Sequence, residues 1–319
     1  MKKKRALVTG GAGFLGSHLC EQLLKQGWAV VCLDNFYTGT KDNLRECFSY
    51  FEFDFIEHDV CFPFSVEVDA IFHLACPASP VHYQRDPIQT TKTSVLGALN
   101  VLELAKRLHV PVLFSSTSEV YGDPTEHPQR ESYWGHVNTL GPRACYDEGK
   151  RCAESLFMDY HRQHSVDIRV ARIFNTYGPR MRLDDGRAIP NFLQQAINKE
   201  PLTVYGNGMQ TRSFCYVDDL VNGIVELLFS DEHEPINLGN PEEISMKDLA
   251  ILINRLLNNP EKITFLDNKT TGDDPARRQP DISKSKRLLK WMPRINLEEG
   301  ILRTLPYFRN KMGLSDVED

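Results

Sequence analysis

Several protein classes are disfavoured by what this 319-residue sequence lacks. Its eight cysteines form no C-x-x-C pair, and no histidines cluster at metal-ligand spacing, so we expect reduced thiols and no metal site. No apolar run approaches the roughly 18 to 20 residues that span a bilayer, and no signal-peptide pattern precedes the first predicted strand. Internal repeats and low-complexity linkers are absent as well. We therefore expect a cytoplasmic, globular protein without membrane contact.

Neither sign of charge dominates the composition. The chain has 37 basic and 43 acidic residues, a net charge of −6, which does not suggest a nucleic-acid partner. The short basic run at residues 2–5 is interpreted as a solvated terminus. A hydrophobic content of 41% and a length of 319 residues allow one large or two modest domains.

A glycine-rich turn follows the first predicted strand, residues 5–9. Gly10, Gly13 and Gly16 permit a sharp turn and let a pyrophosphate approach the free N–H groups at the start of the next helix. Asp34 ends the next apolar run about twenty residues on, where a carboxylate accepts hydrogen bonds from an adenosine ribose. An acid there repels a 2′-phosphate, so the pattern predicts NAD in preference to NADP.

The alternation of strands and helices continues through the first half of the chain. Apolar segments at 51–59, 70–75 and 112–115 read as strands, and 93–108 reads as a helix. This order predicts an α/β fold with a doubly wound parallel (Rossmann) sheet and a second, smaller substrate-binding lobe. Ligands of such sheets gather at the carboxyl ends of the strands, where Asp59, the turn 74–77 and the polar run 115–119 fall.

Tyr146 and Lys150 are four residues apart on one face of a predicted helix. A lysine ammonium near a phenol lowers the pKa of the tyrosine and can also hold a ribose hydroxyl. Thr117 is then expected to share a substrate hydroxyl with Tyr146, so that a proton moves while nicotinamide takes a hydride. Strand-end turn chemistry is an alternative interpretation that suits Ser115 and Ser116.

On these residues the chain resembles the extended short-chain dehydrogenase/reductases that act on nucleotide sugars, and more narrowly the UDP-glucuronate decarboxylase (UDP-xylose synthase) family. The glycine turn and the Tyr-x-x-x-Lys pair are typical of the whole superfamily. The narrower resemblance depends on the Ser-Glu pair after Thr117 and on GPRACYDEGKR. Further matching segments run nearly end to end: GGAGFLGSHL, DNFYTG, HLACPASP, STSEVYGDP, YWGHVN, ARIFNTYGPRM, PLTVYGNGMQTRSF, NLGNPEE and RRQPDI.

The resemblance implies a decarboxylase that keeps NAD bound. The hydroxyl on carbon 4 of UDP-glucuronate is oxidised, the resulting β-keto acid loses carbon dioxide, and the 4-keto-pentose is reduced to UDP-xylose. Tyr146 is the implied base, Lys150 tunes it and Thr117 orients the hydroxyl. Ser118 and Glu119 lie near ring carbon 5.

The resemblance also assigns contacts to ligands. Arg278 is implied to meet the substrate carboxylate or to help protonation; the residue after it is usually Lys, but is Gln279 here. The other predicted substrate contacts are Lys92, Asn175, Tyr205, Gln210 and Arg212. The predicted NAD contacts are Gly10, Gly13, Phe14, Leu15, Gly16, Asp34, Asn35, Thr38, Asp59, Val60, Leu74, Tyr146 and Lys150.

Domain organisation and assembly are also expectations at this point. Residues 1–175 and about 213–240 are predicted to form the NAD-binding domain, and about 176–212 with 241–310 the nucleotide-sugar lobe. Residues 311–319 read as a frayed tail. Asp218 or Asp219 is expected to cap a helix. A homodimer is expected by resemblance, through segments 93–108 and 152–161.

Four alternatives remain open. Nucleotide-sugar 4,6-dehydratases resemble the chain but carry Thr-Asp-Glu, and Ser118 is too weak an acid to expel hydroxide unaided. A 4-epimerase only needs to rotate its keto intermediate. Oxidative decarboxylases share the Ser-Glu pair but release the keto-pentose with NADH, and a non-catalytic NAD-sensing protein is a more distant possibility.

Overall fold

Seven parallel strands form the main sheet of the computed structural model, which describes residues 3–260, 262–267 and 277–314. The strands are β1 (Arg5–Thr9), β2 (Ala29–Asp34), β3 (Phe53–Glu57), β4 (Ala70–His73), β5 (Val112–Thr117), β6 (Ile168–Ile173) and β11 (Ile236–Leu238). Their spatial order is β11-β6-β5-β4-β1-β2-β3. The chain therefore reverses its winding direction between β1 and β4, which leaves a crevice at the carboxyl ends of these strands. The predicted doubly wound sheet is confirmed.

Helices cover both faces of this sheet because its strands are apolar on both sides. Ala6 and Val8 of β1 belong to one buried cluster and Leu7 to the other, as expected for alternating side chains. The helices are α1 (Phe14–Lys25), α2 (Pro80–Tyr83), α3 (Pro87–Leu108), α4 (Ala144–His164), α5 (Ala188–Ile197), α6 (Val217–Leu228), α7 (Met246–Leu256), α8 (Ser283–Leu289) and α9 (Leu297–Lys311). Short 3₁₀ turns lie at Lys41–Leu44, Cys47–Ser49 and Ser118–Tyr121.

Two helix starts differ from expectation. Helix α3 begins before residue 93, because Pro87 occupies its first turn and the Asp86 side chain accepts a hydrogen bond from the Gln89 N–H at 2.9 Å. Neither Asp218 nor Asp219 caps α6, so that prediction is wrong. Both lie inside the first turn, and the Asp219 carboxylate accepts the N–H groups of Arg294 and Ile295, each at 2.8 Å.

Smaller sheets lie outside the main one. Their strands are β7 (Thr176–Tyr177), β8 (Leu202–Tyr205), β9 (Thr211–Ser213), β10 (Cys215–Tyr216), β12 (Glu243–Ser245), β13 (Ile263–Leu266) and β14 (Arg277–Arg278). Strand β14 pairs in parallel with β9, which sets Arg278 beside Arg212 in the register. This pairing positions the site described below.

The predicted lobe boundaries stay a prediction. Of the expected tail, residues 315–319 lie outside the described residues, and Lys311 is the last residue of α9. Within the described part of the chain, no helix is long and apolar enough to cross a membrane.

Candidate active site

A cleft with a volume of about 1600 Å³ lies at the carboxyl edge of the main sheet and extends to residues of the smaller sheets. Every residue predicted from the sequence to act in catalysis, to hold NAD or to bind substrate lines this cleft. The structure thus brings together residues that are far apart in the sequence, such as Ser118 and Arg278, which are 160 positions apart. Their individual roles stay predictions.

The glycine turn between β1 and α1 packs so closely on neighbouring backbone that it has no room for side chains at Gly10 and Gly16. Gly10 has a φ of +69°, and a Cβ there would lie 2.8 Å from the backbone of Ala75. A Cβ on Gly16 would lie 2.1 Å from the Gly10 carbonyl oxygen. Helix α1 starts immediately after Gly13, so its first N–H groups lie at this turn. This cradle fits the pyrophosphate of a dinucleotide.

Asp34 stands at the end of β2 and is almost fully buried. Its two carboxylate oxygens accept the N–H groups of Ala12 at 3.0 Å and of Phe36 at 2.8 Å, which ties the glycine turn to the loop after β2. Burial raises the pKa of Asp34, and these backbone hydrogen bonds oppose the rise. Since each carboxylate oxygen can accept more than one hydrogen bond, the group can still accept from a ribose.

The loops after the neighbouring strands complete this half of the cleft. The Asp59 carboxylate accepts the Cys61 N–H at 2.9 Å, the Val60 carbonyl accepts the Asn100 amide at 2.8 Å, and the Leu74 N–H donates to the Thr9 carbonyl at 3.0 Å. These bonds hold the loops rigidly at the sheet edge. The residues present therefore fit NAD.

Tyr146 and Lys150 lie on α4, against the end of β5. The Lys150 ammonium is buried, donates to the Ser115 carbonyl at 2.7 Å and lies 5.9 Å from the Tyr146 ring centroid. Burial lowers the pKa of Lys150 and raises the pKa of Tyr146, while a hydrogen bond with Thr117 acts to lower the tyrosine pKa. The pKa of Tyr146 is therefore raised, whereas the sequence predicted that Lys150 would lower it. Desolvation of the phenolate dominates in this buried position.

The polar run at the end of β5 divides into structural and cleft-facing parts. The Ser115 hydroxyl donates to the His73 carbonyl at 3.1 Å, and the Ser116 hydroxyl donates to Glu154 at 2.5 Å. The Thr117 hydroxyl accepts the Glu119 N–H at 3.2 Å and caps the following 3₁₀ turn. Ser115 and Ser116 thus contact β4 and α4 and do not make the turn contacts considered from the sequence, whereas Thr117 caps the turn and also faces Tyr146.

Glu119 lies among arginine guanidiniums. Its Oε2 accepts from Arg143 Nη2 at 2.6 Å and from Arg278 Nη2 at 3.1 Å. Burial raises the pKa of Glu119, but the positive charges of Arg278, Arg143 and Arg212 outweigh it and hold the pKa below its usual value. Glu119 is therefore a carboxylate at neutral pH.

Arg278 is 1% exposed and is fixed from several directions. Its Nη1 donates to the Ser118 carbonyl at 2.8 Å, and its own carbonyl accepts the Ser213 hydroxyl at 3.3 Å. The next residue, Gln279, donates its backbone N–H to the Gln129 side chain at 2.9 Å and its amide to the Pro241 carbonyl at 2.6 Å. Gln279 thus fastens the strand that carries Arg278.

The remaining predicted substrate residues line the cleft from several elements. Lys92 lies exposed on α3, and Tyr205 is half-exposed at the end of β8. The Gln210 amide donates to the Tyr205 carbonyl at 3.0 Å, which shapes the loop between β8 and β9. Asn175 precedes β7, and its carbonyl accepts the Cys215 N–H at 2.9 Å.

Three side chains of this region were not assigned a role from the sequence. Tyr83 of α2 stacks on Tyr146, with ring centroids 5.0 Å apart and an interplanar angle of 5°. Arg143 binds Glu119, and the Asp147 carboxyl is buried directly after Tyr146. The spacing of Arg143, three residues before Tyr146 and four before Asp147, was a usable signal, whereas the stack with Tyr83 joins distant segments.

Metal binding has no support in the described part of the chain. No group of three or more His, Cys, Asp or Glu side chains there is arranged to hold an ion. All eight cysteines are free thiols.

The chain is similar to known proteins along most of its length. Residues 6–239 match the NAD dependent epimerase/dehydratase family. A UDP-glucuronic acid decarboxylase 1 of Arabidopsis thaliana is 56% identical over 311 residues, which cover 98% of this chain and 71% of that relative. A UDP-glucuronic acid decarboxylase 1 of Xenopus tropicalis is 54% identical over 310 residues, covering 97% and 73%.

A solved structure has a similar fold. UDP-glucuronic acid 4-epimerase from Bacillus cereus, in complex with UDP-glucuronic acid and NAD, superposes with a TM-score of 0.84 at 29% identity. The superposition covers 96% of this chain and 99% of that chain.

Proposed function

The chain belongs to the NAD dependent epimerase/dehydratase family and to the UDP-glucuronic acid decarboxylases, and from this premise we propose that it converts UDP-glucuronate to UDP-xylose and carbon dioxide. It is an NAD-dependent carboxy-lyase. The residues of the cleft fit this reaction in its order of steps.

The first step needs a base at the hydroxyl on ring carbon 4. Thr117 orients this hydroxyl and Tyr146 takes its proton, while the Lys150 ammonium, 5.9 Å from the ring centroid, opposes the burial that disfavours the phenolate. Bound NAD supplies the hydride acceptor for this step and the hydride donor for the last one. The product of the first step is a 4-keto acid.

The second step breaks the bond between ring carbon 5 and the carboxylate. Its electron pair passes into the enolate of the new carbonyl, carbon dioxide leaves, and carbon 5 then takes up one proton. Arg278 and Arg212 supply positive charge for the substrate carboxylate and the diphosphate. Tyr146 finally returns its proton to the oxygen on carbon 4 as the carbonyl is reduced.

The observation that carries this proposal is the contact of Glu119 with Arg143 and Arg278, beside Thr117 and Tyr146. A dehydratase needs a proton donor strong enough to expel hydroxide, and the position before Glu119 holds Ser118. An epimerase needs no acidic or basic group at ring carbon 5. The geometry therefore favours chemistry at carbon 5 without loss of water.

The test is incubation of the purified protein with UDP-glucuronate, with and without added NAD, followed by mass spectrometry of the sugar nucleotide. We expect carbon dioxide and a stable UDP-pentose. Free NADH together with a keto sugar would instead indicate the oxidative type of decarboxylase. Turnover of UDP-glucose or dTDP-glucose, with none of UDP-glucuronate, would overturn the proposal.

Two variants separate the steps of the reaction. We expect Tyr146→Phe to lose the initial oxidation, because the phenol oxygen that accepts the proton is removed. Glu119→Ala should retain NAD binding and oxidise carbon 4, yet fail in the later steps. Wild-type rates for Glu119→Ala would remove this residue from the mechanism.

We propose further that the protein is a cytoplasmic homodimer with interleaved cofactor and sugar-binding lobes at the boundaries given above. Eight free thiols suit a reducing compartment. Helices α3 and α4 pack side by side on one face of the main sheet, and Cys152 is exposed on α4. Two such pairs can form the four-helix contact of a dimer.

A further inference from the structure

Glu119 and Arg278 must keep a fixed separation although they lie on different elements. Glu119 belongs to the 3₁₀ turn Ser118–Tyr121, and Arg278 belongs to β14. Arg278 joins the two directly, by donating to Oε2 of Glu119 at 3.1 Å and to the Ser118 carbonyl at 2.8 Å. A substrate carboxylate at Arg278 competes for the same guanidinium. During the reaction the turn and the strand therefore need a second connection, and this inference rests on the proposed function.

Tyr121, the last residue of the same turn, supplies one end of that connection. Its side chain is fully buried, and its hydroxyl donates to Oδ1 of Asn237 at 2.7 Å and accepts from Nη1 of Arg172 at 3.1 Å. Burial raises the pKa of Tyr121 to about 12, against the positive charge of Arg172. The hydroxyl therefore keeps its proton and can donate it to the hydrogen bond with Asn237.

Asn237 of β11 supplies the other end. It is fully buried, and its Nδ2 donates to the carbonyls of Gln129 at 3.0 Å and of Asp281 at 3.1 Å, which leaves Oδ1 as the acceptor for Tyr121. Asp281 follows Arg278 by three residues, and its N–H donates to the same Gln129 carbonyl at 2.8 Å. Asn237 thus joins the catalytic turn to the segment that carries Arg278, on the side away from the substrate.

Arg172 of β6 fixes Tyr121 against the main sheet. Its Nε and Nη2 donate to the two carboxylate oxygens of Glu154 at 3.0 Å and 2.8 Å, and its Nη1 also donates to the Glu131 carbonyl at 2.9 Å. The guanidinium lies 5.0 Å from the centroid of the Tyr121 ring. Such a satisfied buried network is rigid, so Tyr121 has one defined position.

The residues of the hydride transfer are held by other contacts. Lys150 donates to the Ser115 carbonyl at 2.7 Å, and Tyr146 stacks on Tyr83 with the ring centroids 5.0 Å apart. Neither contact involves the hydroxyl of Tyr121. A change at Tyr121 can therefore alter the step at ring carbon 5 and spare the oxidation at carbon 4.

We propose that Tyr121 and Asn237 are positioning residues for the step at ring carbon 5. Their hydrogen bond holds Glu119 at its distance from Arg278 while the substrate carboxylate occupies the arginine. The two residues act through Glu119 and Arg278 and do not touch the substrate themselves.

The test compares Tyr121→Phe with Tyr133→Phe. The Tyr133 ring stacks on that of Tyr121 at a centroid distance of 6.1 Å, but its hydroxyl accepts the Thr125 N–H at 3.1 Å. Each variant thus removes one hydroxyl from the same pair of rings. At saturating UDP-glucuronate we expect Tyr121→Phe to lower kcat roughly tenfold with unchanged NAD affinity, because small misplacements of catalytic groups are costly. Tyr133→Phe should behave as wild type.

Single-turnover absorbance of the nicotinamide identifies the affected step. In Tyr121→Phe the reduced nicotinamide should form at the wild-type rate and then persist, whereas general destabilisation would slow its formation as well. Slowed formation, wild-type kinetics of Tyr121→Phe, or equal effects of the two tyrosine variants would overturn the inference. Failure of wild type itself to release carbon dioxide would overturn the proposed function instead.

Asn237→Ala breaks the same connection from its other end. If one hydrogen bond is responsible, the double variant with Tyr121→Phe should be no slower than Asn237→Ala alone, whereas independent effects would multiply to about a hundredfold. Multiplied losses would contradict the proposed connection. Loss of folding and of NAD binding in both single variants would assign the pair to stability alone and would also overturn it.

Discussion

Glu119 is surrounded by arginines from three parts of the chain, and their charges affect the stability of the folded protein. Arg143 immediately precedes α4, Arg212 lies in β9 and Arg278 lies in β14. Three like charges close together repel each other, and one buried carboxylate offsets part of that repulsion. The residue proposed for catalysis therefore also stabilises its surroundings.

This predicts a loss of stability in Glu119→Gln. Removing the charge leaves Arg278 buried without its anion, which costs about 3 kcal/mol of unfolding free energy at pH 7. Because the folded-state pKa of Glu119 is lowered, this stability is present above the pKa of the unfolded chain and is lost as the pH falls through the folded-state value. The difference between variant and wild type should therefore shrink in acid.

Urea unfolding at pH 7 and at pH 4 measures the effect. Glu148→Gln is the control, since its ion pair with Arg151 is 3.6 Å long and about 40% exposed, and such pairs contribute about 1 kcal/mol or less. Equal stability of Glu119→Gln and wild type at pH 7 would contradict the prediction.

At the scale of elements, the two-residue strand β14 depends on Gln129. This residue is fully buried, and its side chain bridges the Glu126 carbonyl at 2.8 Å and the Gln279 N–H at 2.9 Å. Its backbone N–H donates to the Gln279 carbonyl at 2.9 Å, and its carbonyl accepts the Asp281 N–H at 2.8 Å. The loop between β5 and α4 thereby holds the strand that carries Arg278.

We expect Gln129→Ala to lower the unfolding free energy by about 2 kcal/mol, because the Gln279 N–H loses its buried acceptor. It should also lower kcat, since Arg278 is no longer held against Ser118, while NAD affinity stays unchanged because the glycine turn lies on other strands. Calorimetry, NAD titration and steady-state kinetics check these three quantities. Glu126→Ala, at an exposed position whose side chain is not used in this bridge, is the matched control; an equal effect of both variants would refute the role of Gln129.

At the scale of the whole molecule, α3 and α4 turn one side toward the sheet and the other outward. Ala98 and Val101 of α3 and Phe157 of α4 are buried against the sheet, whereas Cys152 and Ser155 of α4 are exposed. The outward faces are the surfaces proposed to meet in the dimer.

Cys152→Glu should then convert a dimer into a monomer, because two added carboxylates would face each other across the symmetry axis. Light scattering after size-exclusion chromatography measures the mass. Ile251→Glu, which changes a 48% exposed apolar residue on α7, should leave the mass unchanged. A wild-type monomer, or a Cys152→Glu dimer of unaltered dissociation constant, would exclude this interface.

Local patterns in the sequence were sufficient to predict the positions of the dinucleotide turn, of Asp34 and of the Tyr146-Lys150 pair. Each depends on spacing along one strand, turn or helix, where backbone geometry alone decides which residues meet. The doubly wound parallel sheet followed from the alternation of strands and helices along the chain. The family resemblance added Ser118 with Glu119, and separately Arg278, as functional residues.

Only the tertiary structure brought Arg143, Arg212 and Arg278 to one carboxylate and laid Tyr83 on Tyr146. These contacts join segments far apart in sequence, and no periodicity encodes them. Burial likewise depends on the assembled fold. It raises the pKa of Tyr146, whereas the sequence predicted that Lys150 would lower it. It also raises the pKa of Asp147 to about 7. The sequence by itself determined which groups can carry protons, and the packing around them decided which ones hold a proton at neutral pH.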